Sequence, residues 1–191
     1  SGKTCKLPLC GNWAAKPPAC VGRSYKTVQI RSDTLVYIAL LMAAVLVGID
    51  QIIKIWAYSN LRLTDTLAVI PNVLHLTYHE NTGAAFSMLS ERTTFLAVAT
   101  GLLLLAIVVL MLYKKPASKF LNITLGLIIA GGVGNLIDRV WRGFVVDYVD
   151  FRLINFAVFN FADICVVIGT GMLMIYLLFI DGRNKENNNA R

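Results

Sequence analysis

From Thr93 to Tyr113 this chain carries no charged side chain. A helix crosses the hydrocarbon core of a bilayer in about 20 predominantly apolar residues. A surface helix of a soluble domain carries a polar stripe that this run lacks. Three further runs resemble it. Leu35–Ile49 pauses at Asp50 and Gln51 and resumes as far as Ala57, broken only by Lys54; the others are Phe120–Ile137 and Ile164–Ile180. Each reaches spanning length once a polar residue is admitted at one end, so four transmembrane helices are predicted. The composition agrees: 57% of the 191 residues are hydrophobic and 15% charged, against about 45–50% and 25% in soluble domains. A disordered chain is excluded.

The basic residues set the orientation. Lys3, Lys6, Lys16, Arg23, Lys26 and Arg31 precede the first span, Lys114, Lys115 and Lys119 separate the second from the third, and Arg183, Lys185 and Arg191 follow the fourth. These make up most of the 18 basic residues and all lie on one side, which the positive-inside rule assigns to the cytoplasm together with both termini. Topology thus accounts for the net charge of +7, and no nucleic-acid partner is expected. No small-residue cleavage site follows Ile49 and the basic region before the first span is too long for a signal peptide, so that span is read as retained.

Residues 1–31 contain Pro8, Pro17, Pro18, Cys5, Cys10 and Cys20 and show no helical or strand period. They are expected to be a tail of unknown role, a processing remnant or a flexible extension. Residues 32–182 form the membrane domain and 183–191 a polar C-terminal tail. In the longer outer loop Val73–His79 alternates apolar and polar groups, and Asn81-Thr82-Gly83 signals a turn. Phe144–Phe159 is rich in β-branched and aromatic residues. The expected fold is an all-α membrane protein of four transmembrane helices, with a small extracytoplasmic β-sheet built by the outer loops.

Three acids, Asp50, Asp138 and Asp163, stand at span ends, and with this orientation all three fall at one depth on the outer side. Acids in such places ask for a reason. Asp50 and Lys54 are four apart and suit a self-neutralised pair. Asn135, Asp138 and Arg139 share a helix face after Gly131, Gly132 and Gly134, which by themselves favour close helix packing. Asn160 and Asp163 open the fourth span, where an acid also suits a helix N-terminus. Asp138 could simply pair with Arg139. Taken together, two carboxylates from different helices at one depth can share a proton, so that one activates water and the other polarises a carbonyl and protonates a leaving nitrogen. Metal and cofactor are not expected: His75 and His79 would share a strand face but lack a metalloprotease spacing, and no Cys-x-x-Cys occurs. A small proton-coupled transporter or channel subunit is the alternative, although no acid lies in the cytoplasmic half of a span.

Five stretches carry a family resemblance: Asp50-Gln51 with Lys54, Asn81-Thr82-Gly83-Ala84-Ala85-Phe86, Gly134-Asn135-Leu136-Ile137-Asp138-Arg139, Val145-Val146-Asp147-Tyr148-Val149-Asp150, and Phe159-Asn160-Phe161-Ala162-Asp163. In this order on four spans, residues from about 33 to 180 resemble the type II signal peptidases, the lipoprotein signal peptidases of bacteria. The resemblance implies an aspartic endopeptidase of the bacterial inner membrane that cleaves diacylglyceryl-modified prolipoproteins before the lipidated cysteine. It also implies inhibition by globomycin-type cyclic peptides. It marks Asp138 and Asp163 as the catalytic pair, with Asn81, Asn135, Arg139 and Asn160 lining the site. Gly83 and Phe86 are candidates for holding the substrate backbone and lipidated residue, beside membrane lipid.

Overall fold

The computed structural model describes residues 20–64, 66–83, 93–154 and 156–181. Its helices are α1 (Cys20–Leu61), α2 (Thr93–Lys114), α3 (Lys119–Trp141) and α4 (Phe161–Ile175), the last continuing as a π-helical turn over Tyr176–Asp181. Four helical stretches are long and apolar enough to cross a membrane: Ser32–Leu61, Thr93–Lys114, Lys119–Trp141 and Phe161–Phe179. One boundary differs from expectation. Helix α1 begins at Cys20, inside the stretch read as aperiodic tail. Once a span has nucleated a helix, each added residue gains a hydrogen bond without a new nucleus, so weak local signals are overridden.

The bundle is apolar outside and mixed inside. On α1 the buried positions Val36, Ala39, Ala43, Asp50, Lys54, Ala57 and Leu61 follow three-and-four spacing, while Ile38, Leu41, Val45 and Ile52 are exposed. Helix α3 packs against all three other spans. Its glycines permit this: a Cβ on Gly131 would collide with the carbonyl oxygen of Ala162 on α4, and one on Gly134 would come 2.5 Å from Asp50 Oδ2 on α1. Ser118 caps α3 by accepting from the Leu121 N–H. Lys115 ties the preceding turn to α1 through Asp33 at 2.9 Å.

A three-stranded antiparallel sheet, order β1-β2-β3, closes the end where α1 and α3 finish and α4 begins. Its strands are β1 (Thr66–Ile70), β2 (Leu74–Asn81) and β3 (Val145–Phe151). Strands β2 and β3 fall where alternation and β-branched composition place them; β1 is an addition. Gly143, at φ +80°, turns the chain from α3 into β3, a conformation that favours glycine. Val146 and Tyr148 of β3 pack with Ala57 and Leu61 and seat the sheet on α1.

The register contains a bulge. Leu74, His75 and Leu76 pair with Phe151, Asp150 and Val149, whereas His79, Glu80 and Asn81 pair with Asp147, Val146 and Val145. One extra β2 residue therefore lies between Leu76 and His79. Directly opposed residues share a face, and Asp147 and Asp150 lie on opposite faces of β3. His75 and His79 thus face opposite sides, correcting the expectation that simple alternation would align them.

Candidate active site

Lys54 organises the inside of this end of the bundle. Its side chain is wholly buried, and an ammonium has three donors and no acceptor. Lys54 Nζ lies 3.0 Å from Asp50 Oδ2, 2.9 Å from Asp138 Oδ2 and 2.8 Å from Asn135 Oδ1, so all three donors are used. Asp50 also accepts from Gln51 Nε2 at 3.2 Å and, through Oδ1, from the Ala162 N–H at 3.0 Å. It therefore fixes the start of α4 against α1. Asp138 accepts from Arg142 as well, one turn on, and from the Val146 N–H at 3.3 Å. Two acids and two cations thus form a compact ion-pair cluster linking α1, α3 and β3.

Asn135 carries the order outward. Because Lys54 can only donate, it claims the amide oxygen, and Asn135 Nδ2 faces Asp163 Oδ1 at 2.7 Å. Asp163 Oδ2 accepts from the Asn160 N–H at 3.1 Å, while Asn160 Oδ1 accepts from the Asp163 N–H at 3.0 Å, a capping box that starts α4. That bond spends the Asn160 oxygen, and its Nδ2 donates to Asp147 Oδ1 at 2.6 Å and to Asn135 Oδ1 at 3.2 Å. Asp147 Oδ2 accepts from Asn81 Nδ2 at 3.0 Å, and Asn81 Oδ1 accepts from the Gly83 N–H at 2.9 Å. Arg139 donates to the Gly83 carbonyl at 2.9 Å, and its Nε has no partner among the described residues.

A cavity of about 750 Å³ opens beside this network. Asp147 and Asp163 line it, with Asn81, Asn135, Arg139 and His79 at the polar end and residues such as Val167 and Ile168 of α4 at the apolar end. Asp138 is fully buried and does not line it. Burial first, and the negative charge of Asp163 second, push the Asp147 carboxyl up to about 7, against the opposing hydrogen bonds from Asn81 and Asn160. Such a carboxyl is shared between its protonated and ionised forms near neutral pH.

Of the residues singled out in the sequence, Asp163, Asn81, Asn135 and Arg139 line one cavity, the buried Asn160 holds Asn135 and Asp147 from behind it, and Gly83 is bound to Asn81 and Arg139. Asp50, Lys54 and Asp138 stand behind it as the ion-pair cluster, and Phe86 lies outside the described residues. Asp138 is not at the position expected of it: Lys54, Arg142 and the Val146 N–H occupy its two oxygens. Asp147 is the site carboxylate that reasoning from span ends misses, because it reaches the cavity from a strand. Its signal is a lone acid flanked by Val145, Val146 and Tyr148.

Paired carboxylates beside a cavity that runs from a surface sheet into a four-span bundle suit a multi-pass membrane enzyme. The comparisons with known proteins give it a family. The family model described as signal peptidase (SPase) II matches residues 42–179. A lipoprotein signal peptidase of Clostridioides difficile is 44% identical over 146 residues, covering 76% of this chain and 98% of that protein. One from Lactococcus lactis is 44% identical over 139 residues, covering 72% and 92%. A solved structure described as a bacterial membrane enzyme, obtained by the in meso method, superposes with a TM-score of 0.70 at 34% identity, covering 80% of this chain and 91% of that one. The chain belongs to the signal peptidase II family: it is a peptidase of lipoprotein processing, not a transporter.

Proposed function

We propose that this protein hydrolyses the peptide bond before the diacylglyceryl-modified cysteine of prolipoproteins, with Asp147 and Asp163 as its acid–base pair. The observation that carries the reading is that these two carboxylates, bridged by Asn160, whose side chain donates to Asp147 and whose backbone N–H donates to Asp163, line the cavity while Asp138 does not. Asp163 takes a proton from the attacking water as the C–O bond forms. Asp147, whose raised pKa of about 7 leaves a substantial protonated fraction at neutral pH, donates from that form a hydrogen bond to the substrate carbonyl. As the C–N bond breaks, the proton held by the pair passes to the leaving nitrogen. This revises the pair expected from the sequence: Asp163 keeps its role, and Asp138 becomes a support that holds Lys54 and thereby Asn135.

The apolar end of the cavity suits a lipid-anchored peptide, with membrane lipid around its acyl chains. Globomycin-type cyclic peptides are expected to occupy the same space. The site is taken to lie near the outer face of the bacterial cytoplasmic membrane, with both termini cytoplasmic. The test is purified protein acting on two synthetic peptides that differ only in diacylglyceryl modification of the cysteine, compared at equal membrane-bound concentration. The lipidated form should be cut on the N-terminal side of the cysteine, by mass spectrometry, and far faster. Equal rates would remove lipid recognition from the reading; cleavage elsewhere would remove the proposed specificity.

The titration of Asp147 fixes a pH dependence. Its proton is present below about pH 7 and lost above, so the acid function is lost as pH rises. In a pH–rate profile, kcat/KM should fall about tenfold for each unit above that point. A rate that stays flat to pH 9 would contradict this role.

A further inference from the structure

Of the polar side chains lining the cavity, His79 alone makes no hydrogen bond among the described residues. Asn81 serves Asp147 and Gly83. Asn135 serves Lys54, Asp163 and Asn160. Arg139 holds Gly83, and both acids accept from asparagines. His79 is exposed, lines the same cavity and stands directly opposite Asp147 across the β2–β3 pair.

The β-bulge puts it there. Without the extra residue Tyr78 would oppose Asp147. With it, Tyr78 packs edge-on against Tyr58 of α1, ring centroids 6.0 Å apart, and the imidazole takes the cavity position. Bulges beside active sites re-aim side chains in this way. The position also has a direction. Val166, Val167 and Ile168 line the cavity within span α4, whereas His79 lies in the sheet beyond the span ends. A membrane-anchored chain that enters along α4 and continues over the sheet passes His79 on β2.

We propose that His79 is a specificity-determining residue that hydrogen-bonds the substrate main chain just past the lipidated cysteine, on the mature-protein side of the cut. This rests on the cavity being the peptidase site. An imidazole presents an N–H in either protonation state and can serve a backbone carbonyl in both.

The test compares wild type, His79→Ala and His79→Gln on two lipidated peptides, one extending several residues beyond the cysteine and one ending there as an amide. On the long peptide His79→Ala should raise KM about three- to tenfold, the loss of one neutral hydrogen bond, with kcat at saturation unchanged. His79→Gln, which keeps a donor, should recover most of the loss. On the short peptide all three proteins should share one KM, because the partner group is gone. A structural lesion would not distinguish the two peptides. An unchanged KM on the long peptide, equal losses on both, or a fall in kcat alone would overturn the proposal while leaving the peptidase reading standing. Failure of the wild type to cut either peptide would overturn that reading, and this inference with it.

Discussion

Asp147→Asn and Asp163→Asn should each lower turnover of a lipidated peptide on the order of a thousandfold, while the purified protein keeps its helical content and a cooperative thermal transition. The size follows from removing a positioned acid or base, which contributes about 10²- to 10⁴-fold. An amide keeps the shape of the carboxyl but cannot exchange a proton. At position 147 it offers one acceptor where Asn81 and Asn160 now find two. The stability cost is therefore one unmade hydrogen bond, about 1 kcal/mol, small beside the loss of rate. Turnover and circular dichroism on the same preparation separate the two effects. A variant with near-normal turnover would remove that residue from the chemistry.

Lys54→Met should have the largest effect on stability. The ammonium is fully buried and shared by Asp50, Asp138 and Asn135. Its removal leaves two buried acids without a common cation, and breaking a buried pair in this way costs about 3–5 kcal/mol. The transition in detergent should fall sharply or disappear. Activity per folded molecule should fall too, because the Asn135 amide that faces Asp163 then loses its 2.8 Å bond from Lys54 and is held at its oxygen by the 3.2 Å bond from Asn160. An unchanged thermal midpoint would show that the cluster contributes little.

The four spans are legible in the sequence because a bilayer imposes one simple demand, a long uncharged run with its backbone bonded internally. Strands β2 and β3 are legible from alternation and β-branched content. β1 is not: Thr66–Ile70 is five residues long, and its pairing with β2 is its whole definition. The bulge before His79 is equally silent, since one inserted residue leaves composition unchanged while reversing which side chains meet the cavity. Asn81, Asn135, Arg139, Asn160 and Asp163 are readable as candidate site residues. The partner of Asp163 is where span-end reasoning stops. Depth and helical spacing point to Asp138, and depth does bring Asp138 level with Asp50, joined through Lys54. What spacing along α3 does not reveal is that β3 folds back after Gly143 and carries Asp147 to the start of α4. A second carboxylate thus arrives from outside the spans, and Asp138 is left facing two cations.

The most direct measurement is single-turnover cleavage of a lipidated peptide, at saturating enzyme, by Asp138→Asn and Asp147→Asn, each normalised to its folded fraction. Asp138→Asn should be the less stable protein, because it weakens the Lys54 and Arg142 pairs, yet its folded molecules should still cut the peptide at a readily measured rate. Asp147→Asn should be the better folded of the two and should cut essentially nothing. The reverse ordering, with folded Asp147→Asn active and folded Asp138→Asn inert, would contradict the assignment of Asp147 and Asp163 as the acid–base pair.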